Sequence, residues 1–249
     1  MKLPLGKRSL LTLVSALAAL IAVGVLAGAS VASSGKAHAK DTLVVLQDDV
    51  AAGLDMDGAN AAQPQLQEIS LNTNATLIKY ATKANGAILE PQYKAAFAPN
   101  LATSWTKKGL VWTFKLRTGV KSCAGNTFNA DDVVWTWQRG KSVSGAAPVA
   151  WFLGNVGGVL PLDPLVSKDP AAKNLKDSEV KKIDDNTVQI TQLYPNENFP
   201  RVLEIFAMSI FDSVELKKHL TSADPWGHTY VNTVNSPGYG PYCLTKWAK

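Results

Sequence analysis

The sequence predicts a mixed α/β fold in which helices cover a β-sheet. Residues 110–139 read as a strand, a turn-rich loop and a capped helix in unbroken succession. Residues 180–193 read as a β-hairpin. Its turn is Asp184-Asp185-Asn186, after which Val188 and Ile190 alternate with polar residues. Because strands and helices both recur along the chain, we expect a sheet with covering helices.

The strand of the first stretch has one apolar and one polar face. Polar residues such as Lys115 separate large apolar residues at every second position, which is the period of a half-buried strand. We expect the apolar face to be buried and the other to meet water. The apolar residues are Trp112, Phe114 and Leu116.

The helix that follows this strand begins with a capping signal. Asn129 suits the N-cap position, and Asp131 and Asp132 lie near the positive end of the helix dipole. The residues expected to face the core are Val133, Val134 and Trp137.

Further elements are predicted on both sides of these two stretches. Residues 42–46 form an apolar run that suits a buried first strand. Residues 64–80 and 199–206 suit helices, the second of which opens on a Phe-Pro pair. Asp212 is expected to cap one more helix, with Glu215 at the third helical position of a capping box.

Residues 1–39 are predicted to be a signal peptide. A basic start is followed by an almost uninterrupted apolar run at 10–26 and by the small-x-small site Ala37-His38-Ala39. Export with cleavage after Ala39 to the periplasm is the expected outcome. An uncleaved membrane anchor is the alternative, because the run approaches the length that spans a bilayer. No cysteine lies directly after the run, which argues against a lipoprotein.

The charge of the chain gives no support to a nucleic-acid partner. The net charge is +5, but four of the 25 basic residues lie in residues 1–39, where there are no acidic residues. The remaining 21 basic residues nearly balance the 20 acidic ones. A near-neutral chain without a basic stripe does not fit a nucleic-acid binder.

Catalytic and metal-binding signatures are weak. Beyond residue 39 the only histidines are His219 and His228, and we expect the first to be solvated and the second to sit in a turn. No GxSxG, HExxH or GxxxxGK[ST] motif occurs, so neither a cofactor nor a metal is expected. A small secreted hydrolase and an interaction module remain as alternatives to a binding protein.

Several of these stretches resemble one known family, the extracellular solute-binding proteins of family 5, which serve as peptide and nickel receptors of ABC importers. The first stretch keeps the family pattern from Phe114 to Val133, except at Ser122-Cys123-Ala124. Four further elements match in the correct order: a weak form of the LDP loop at Leu54–Met56, the PxLAxSW element at 99–105, the hairpin at 180–193, and the GYGPY element at 236–242, which continues to Trp247.

The resemblance implies both a fold and a function. The fold would be a mixed-sheet lobe of the periplasmic-binding-protein type, class II, as found in peptide receptors. Residues 40–249 would form its amino-terminal lobe, with an outer subdomain near 78–230 and a second lobe absent from the sequence. The implied function is capture of peptides or similar small solutes for a membrane permease, by a monomer. Because such receptors close two lobes around the ligand, we expect one lobe alone to bind peptide poorly or not at all.

Five residues are candidates for contact with that ligand. Three lie in the loop after the expected first strand, which skirts the ligand cleft in the family. Trp151 could stack on a ligand, although anchoring of a long loop explains it too. Tyr239 belongs to the GYGPY element. The loop residues are Gln47, Asp48 and Asp49.

Cys123 and Cys243 are the only cysteines and form a disulfide candidate. An even pair in an exported protein favours a bridge, and each lies beside a family element expected in the same lobe. Closing a loop of this length would stabilise the fold by about 4–5 kcal/mol in the chain-entropy model. Two free thiols are the alternative.

Overall fold

The computed structural model describes residues 44–58, 60–83, 97–142 and 180–247, with the backbone alone at 141–142. The expected signal peptide and Trp151 therefore lie outside the described residues. The chain divides into two compact units, Met1–Leu46 and Gln47–Lys249. The helices and strands named below all belong to the second unit.

Helices and strands both occur, as predicted. No helix in the described part of the chain has the length and apolar character needed to cross a membrane. The elements, in chain order, are α1 (Pro64–Thr73), β1 (Ile78–Tyr80), β2 (Phe97–Pro99), β3 (Ala102–Lys108), β4 (Val111–Leu116), α2 (Ala130–Ser142), β5 (Val180–Asp184), β6 (Thr187–Thr191), α3 (Phe199–Val202), a 3₁₀ turn (Phe206–Met208), α4 (Ser213–Lys217) and α5 (His228–Thr233).

The larger sheet has the strand order β3-β4-β6-β5, and all its neighbours are antiparallel. On the central strand β4, Trp112 and Phe114 are buried and Lys115 is exposed, so the predicted alternation is confirmed. Phe114 lies opposite Val188, which is also buried. The predicted hairpin is β5-β6. The smaller sheet pairs β1 with β2.

Helix α2 begins as its capping signal predicts. The Asn129 side chain accepts a hydrogen bond from the Asp131 backbone N–H at 2.7 Å. The Asp132 carboxylate accepts one from the Asn129 N–H at 2.9 Å, which closes the reciprocal arrangement of a capping box. Val133 and Trp137 are fully buried, so this helix covers the sheet with the predicted face.

The helix predicted over residues 64–80 is wrong in its second half. It ends at Thr73, and Ile78 belongs instead to strand β1, opposite Pro99. The backbone N–H groups of Gly240 and Tyr242 donate to the Thr73 and Asn72 carbonyls at 3.0 and 3.1 Å. The last carbonyls of the helix thus accept hydrogen bonds from a segment about 170 residues away. Local propensity could not reveal this contact.

Two other expectations are corrected. The buried strand expected at 42–46 is not formed by residues 44–46, which are exposed and lie in no strand; residues 42 and 43 lie outside the described part. A strand needs a hydrogen-bonded neighbour, and these residues pair with none in the described part of the chain. The helix expected over 199–206 ends at Val202 and is followed by the 3₁₀ turn.

The cap expected at Asp212 is confirmed, because its carboxylate accepts from the Glu215 backbone N–H at 2.9 Å. The capping box is not closed, because the Asp212 N–H donates to the Pro237 carbonyl and the Glu215 carboxylate accepts from Lys218. The buried apolar residues form two clusters. The first lies on the larger sheet and includes Phe114, Trp137 and Val188. The second joins residues near both ends of this unit, Leu54, Met56 and Val231 among them, to Leu66, Trp135, Phe211 and Leu216. The division into an outer and an inner subdomain stays a prediction.

Candidate functional site

The site is built around Ser236–Tyr242, here called the GYGPY segment. Besides the two hydrogen bonds to the end of α1, its Pro237 carbonyl accepts from the Asp212 N–H at 3.1 Å. Gly238 forms an isolated antiparallel bridge with Phe211. The segment is therefore held from two sides by backbone contacts.

Its glycines permit this close approach. A Cβ atom on Gly240 would lie 2.4 Å from the carbonyl carbon of Thr73 and 2.6 Å from the backbone nitrogen of Asn74. A Cβ atom on Gly238 would lie 1.8 Å from Oδ1 of Asn74. Any larger residue at position 240 would collide with backbone that cannot move freely, so glycine is required there by packing.

Tyr239 is buried within the segment and its hydroxyl is already engaged. It donates to Oδ2 of Asp132 at 2.9 Å, while its ring packs edge-on against Phe128. Asp132 also accepts from the backbone N–H of Ser213 at 3.0 Å. Burial raises the pKa of Asp132, although these hydrogen bonds oppose the shift. The Tyr239 hydroxyl therefore serves to join α2 to the segment.

Asp212 forms a second polar junction beside the first. Its carboxylate accepts from the hydroxyl of Ser122 and from the side-chain amide of Asn126, the latter at 2.9 Å. These contacts tie the loop between β4 and α2 to the start of α4. Cys123 in the same loop is joined to Cys243 as a disulfide, with Cα atoms 5.6 Å apart. The loop is thus fastened to the residues that follow the GYGPY segment.

Two cavities flank the segment. The disulfide cavity has a volume of about 230 Å³ and is bordered by the Cys123–Cys243 bridge, Glu215 and Ser236, whose buried hydroxyl has no hydrogen-bond partner among the described residues. The second, here called the β1 cavity, has a volume of about 540 Å³ and extends from Lys79 on β1 to Tyr239. Both are concave spaces at a segment of fixed backbone, but of the two only the β1 cavity lies within the roughly 300–1,000 Å³ of typical small-ligand pockets.

A buried ionic cluster lies in the same unit. The guanidinium of Arg139, fully shielded from water, binds the carboxylates of Asp55 and Asp57. Its Nη1 lies 2.8 Å from Asp55 Oδ1 and 2.6 Å from Asp57 Oδ2, and its Nε donates to the Trp226 carbonyl at 2.8 Å. The imidazole of His228 also contacts Asp55.

The two carboxylates of this cluster are shifted in opposite directions. Burial disfavours the charge of Asp55, but hydrogen bonds from Arg139 and His228 outweigh it and hold its pKa at about 2. Burial raises the pKa of Asp57 to about 6. The attraction of Arg139 opposes this shift, but repulsion from Asp55 partly cancels that attraction. Arg139 thus stabilises the charged form of Asp55 more than the charged form of Asp57.

Comparison with known proteins identifies the family. The model of the bacterial extracellular solute-binding proteins, family 5 (middle), matches residues 96–249, which is more than half of the chain. The chain belongs to this family. Its members are solute-binding proteins, so the resemblance drawn from the motifs is confirmed.

Relatives agree with this assignment. The periplasmic oligopeptide-binding protein OppA of Escherichia coli (strain K12) is 30% identical over 151 residues, covering 60% of this chain and 26% of OppA. The dipeptide-binding protein of the same organism is 32% identical over 166 residues, covering 61% of this chain and 27% of the relative. The chain thus spans about a quarter of the length of these relatives.

Solved structures confirm the fold class. The substrate-binding domain of an oligopeptide ABC transporter from Bacillus anthracis matches with a TM-score of 0.60 at 20% identity, covering 82% of this chain and 35% of that one. The murein tripeptide-binding protein MppA of Escherichia coli gives 0.59 at 22% identity, covering 80% and 35%. The mixed α/β fold of the periplasmic-binding-protein type is therefore confirmed.

The candidate ligand residues are not brought together. Gln47 contacts Glu68, Asp48 accepts from the Gln65 side chain at 3.0 Å, and Asp49 accepts from the Val50 backbone N–H. The three are exposed and border neither cavity, whereas Tyr239 borders the β1 cavity. Their role in ligand binding stays a prediction, as does that of Trp151, which lies outside the described residues.

Sequence reasoning missed the ionic cluster and misplaced both histidines. His228, expected in a turn, is the first residue of α5 and contacts Asp55. A lone arginine on a helix is usually solvated, so Arg139 gave no signal, and the LDP-like loop was the only hint at Asp55. His219 was expected to be solvated, but its ring stacks on Tyr230 with centroids 3.6 Å apart, and its Nε2 lies 3.2 Å from Glu215. In the described part of the chain no group of three or more His, Cys, Asp or Glu side chains could hold a metal ion.

Proposed function

We propose that this chain captures peptides or similar small solutes as part of the substrate-binding component of an ABC importer. The match of the family model to residues 96–249 carries this proposal. The relatives named as oligopeptide- and dipeptide-binding proteins narrow the ligand class to peptides. A membrane permease is the corresponding partner, and a monomeric receptor would deliver the solute to it.

The site chemistry supports binding rather than catalysis. His228 contacts a buried aspartate and His219 a glutamate, but among the described residues no serine, threonine or cysteine side chain is hydrogen-bonded to either imidazole, so the nucleophile of such a pair is missing there. The GYGPY segment offers instead two cavities beside a backbone held in place by α1 and by Asp212. A rigid backbone next to open cavities suits selection of a solute without transformation.

The location follows from the same proposal. OppA and MppA, which this chain resembles, are periplasmic by name. We propose export by the segment 1–39 with cleavage after Ala39. N-terminal sequencing of the exported protein tests this: a start at Lys40 supports cleavage, and an intact Met1 would contradict it in favour of a retained anchor.

The domain proposal is that residues 40–249 form an amino-terminal lobe, with an outer subdomain near 78–230. The ligand would then be shared with a second lobe, so that binding by this chain alone is weak or absent. Calorimetry with dipeptides and tripeptides tests this part. Micromolar affinity of residues 40–249 on their own would contradict the need for a second lobe.

The functional test must detect weak binding and any chemistry together. The isotope-labelled chain is titrated with a dipeptide and tripeptide library to millimolar concentration, and amide NMR shifts are followed. The proposal expects shifts at the GYGPY segment and peptides that mass spectrometry recovers intact. Peptide cleavage that a His228→Ala variant abolishes would favour the secreted hydrolase. No shift with any peptide would contradict peptide capture by this chain without a second lobe.

A further inference from the structure

The β1 cavity carries positive charge without a compensating carboxylate. Its charged lining residues are Lys79 and Arg117, and no aspartate or glutamate borders it. Neither residue forms an ion pair with any residue that the structure describes. Two uncompensated cations at one concave site favour an anion.

Arg117 is oriented in advance for such a partner. Its backbone N–H donates to the Leu101 carbonyl at 2.7 Å, and its Nε donates to the Asn100 carbonyl at 2.9 Å. The two terminal Nη groups have no partner among the described residues. A guanidinium fixed at Nε presents a planar fork, and this geometry matches a carboxylate through two parallel hydrogen bonds.

The rest of the wall is largely apolar, although Asn74 and Asn100 also border it. Leu71, which is 60% exposed, and Pro241 border the cavity together with the buried Leu101. The Tyr239 ring lies at the same wall, and its hydroxyl is turned to Asp132. A ligand that fills this space would place an apolar group on the wall and an anionic group at the two cations.

We propose that the β1 cavity binds a carboxylate that carries an apolar side group. This inference rests on the proposed function in one respect: if the chain captures peptides, the C-terminal residue of an apolar peptide is the natural source of such a group. A free apolar acid has the same chemistry, and the experiment separates the two. An inorganic anion fits less well, because it would leave the apolar part of the wall, Leu71, Leu101 and Pro241, in contact with water.

The first arm of the experiment uses small probes. The full chain is titrated by NMR with N-acetyl-leucine, with its uncharged amide and with inorganic phosphate, and signals of Val120 and Gly240 are followed. The acid is expected to bind at least about fivefold more tightly than the amide, since a bidentate charged contact is stronger than a simple surface ion pair. Phosphate is expected to bind more weakly than the acid.

Matched variants assign the effect to the cavity. Lys79→Gln and Arg117→Gln should each remove most of the difference between acid and amide. Lys181→Gln is the control, because Lys181 is exposed on β5, away from the cavity lining. Arg117→Lys keeps the charge but not the forked guanidinium, and should also weaken binding of the acid. The same spectra verify that each variant is folded.

The second arm uses Ala-Ala-Leu and its C-terminal amide. A preference for the free peptide acid that Lys79→Gln removes supports the inference with a peptide as source. Equal binding of the peptide acid and amide would overturn the inference while leaving peptide capture intact. Binding of N-acetyl-leucine without the peptide would keep the site and count against peptide capture. Equal binding of N-acetyl-leucine and its amide, or of phosphate and N-acetyl-leucine, would overturn the proposed ligand class.

Discussion

Arg139 shows how a single residue can organise distant parts of this chain. Its guanidinium is buried and binds Asp55, 84 residues away in sequence, and the carbonyl of Trp226, 87 residues away. Taking such a group out of water is costly unless every donor finds an acceptor. The cluster therefore fixes the loop at 54–57 against α2 and against the turn before α5.

We expect Arg139→Met to lower the free energy of unfolding by about 3–5 kcal/mol, because it leaves two buried carboxylates without their cation. Urea unfolding followed by tryptophan fluorescence measures this. Adding Asp55→Asn and Asp57→Asn to the same variant should recover part of the loss. Lys108→Met, at an exposed position of β3, is the control and should have little effect. An equally small effect of Arg139→Met would contradict the role of the cluster.

Asp57 should make stability depend on pH in the opposite sense to Asp55. Its pKa rises from 3.8 to about 6 on folding, so its contribution is fully present below about pH 4 and is lost as pH rises through 6. In the wild type, Asp57 should lower the free energy of unfolding by about 1–3 kcal/mol between pH 4 and 7, and Asp57→Asn should abolish this decrease. Glu204, whose pKa burial raises to about 7, acts in the same sense, so the comparison with wild type isolates Asp57.

Thermal unfolding of both proteins at pH 4, 5, 6 and 7 provides the measurement. Asp184→Asn is the control, since Asp184 is exposed and its hydrogen bonds lower its pKa. That variant should retain the wild-type slope between pH 4 and 7. If Asp57→Asn retains it as well, the carboxylate is not destabilised by burial.

At the scale of elements, the contact between the GYGPY segment and α1 decides where the helix ends. Sequence patterning found α1, β4, α2 and the β5-β6 hairpin, because their signals lie in neighbouring residues. It extended α1 to residue 80, because the partner of its last carbonyls is Gly240, far along the chain. Elements bounded by local caps were therefore predicted well, and the element bounded by a tertiary contact was not.

The glycine at position 240 should tolerate no side chain. We expect Gly240→Ala to lower the free energy of unfolding by about 1–3 kcal/mol, because the new methyl group would overlap the backbone at residues 72–74. Gly58→Ala is a matched control, since its Cβ would lie no closer than 3.4 Å to its neighbours. Equal stability of the two variants in urea would contradict the packing argument. Amide signals of Asn72 and Thr73 should shift in the first variant alone.

At the scale of the whole molecule, the disulfide closes a loop of 120 residues between the β4-α2 loop and the last described segment. The contacts of Asp132 with Tyr239, and of Asp212 with Ser122, lie between the same parts of the chain. The disulfide and several polar contacts thus join the strand-loop-helix stretch to the carboxyl-terminal region.

Removal of this bridge should be the most destabilising change at this scale. We expect Cys123→Ala with Cys243→Ala to lower the free energy of unfolding by about 4–5 kcal/mol, chiefly by freeing the unfolded chain. Dithiothreitol should produce a similar loss in wild type and none in the double variant. A thiol assay on the unreduced protein should return no free thiols; two per chain would contradict the bridge.

The sequence by itself determined the family, the class of fold and the elements that begin or end at local signals, such as α2 and the β5-β6 hairpin, because periodicity, capping residues and short motifs are properties of neighbouring residues. It also named both cysteines, although not their geometry. Only the tertiary structure decided that Arg139 is buried with two aspartates, that Tyr239 gives its hydroxyl to Asp132, and that Arg117 and Lys79 face one cavity. These arrangements depend on contacts between residues distant in sequence, and packing alone brings them together.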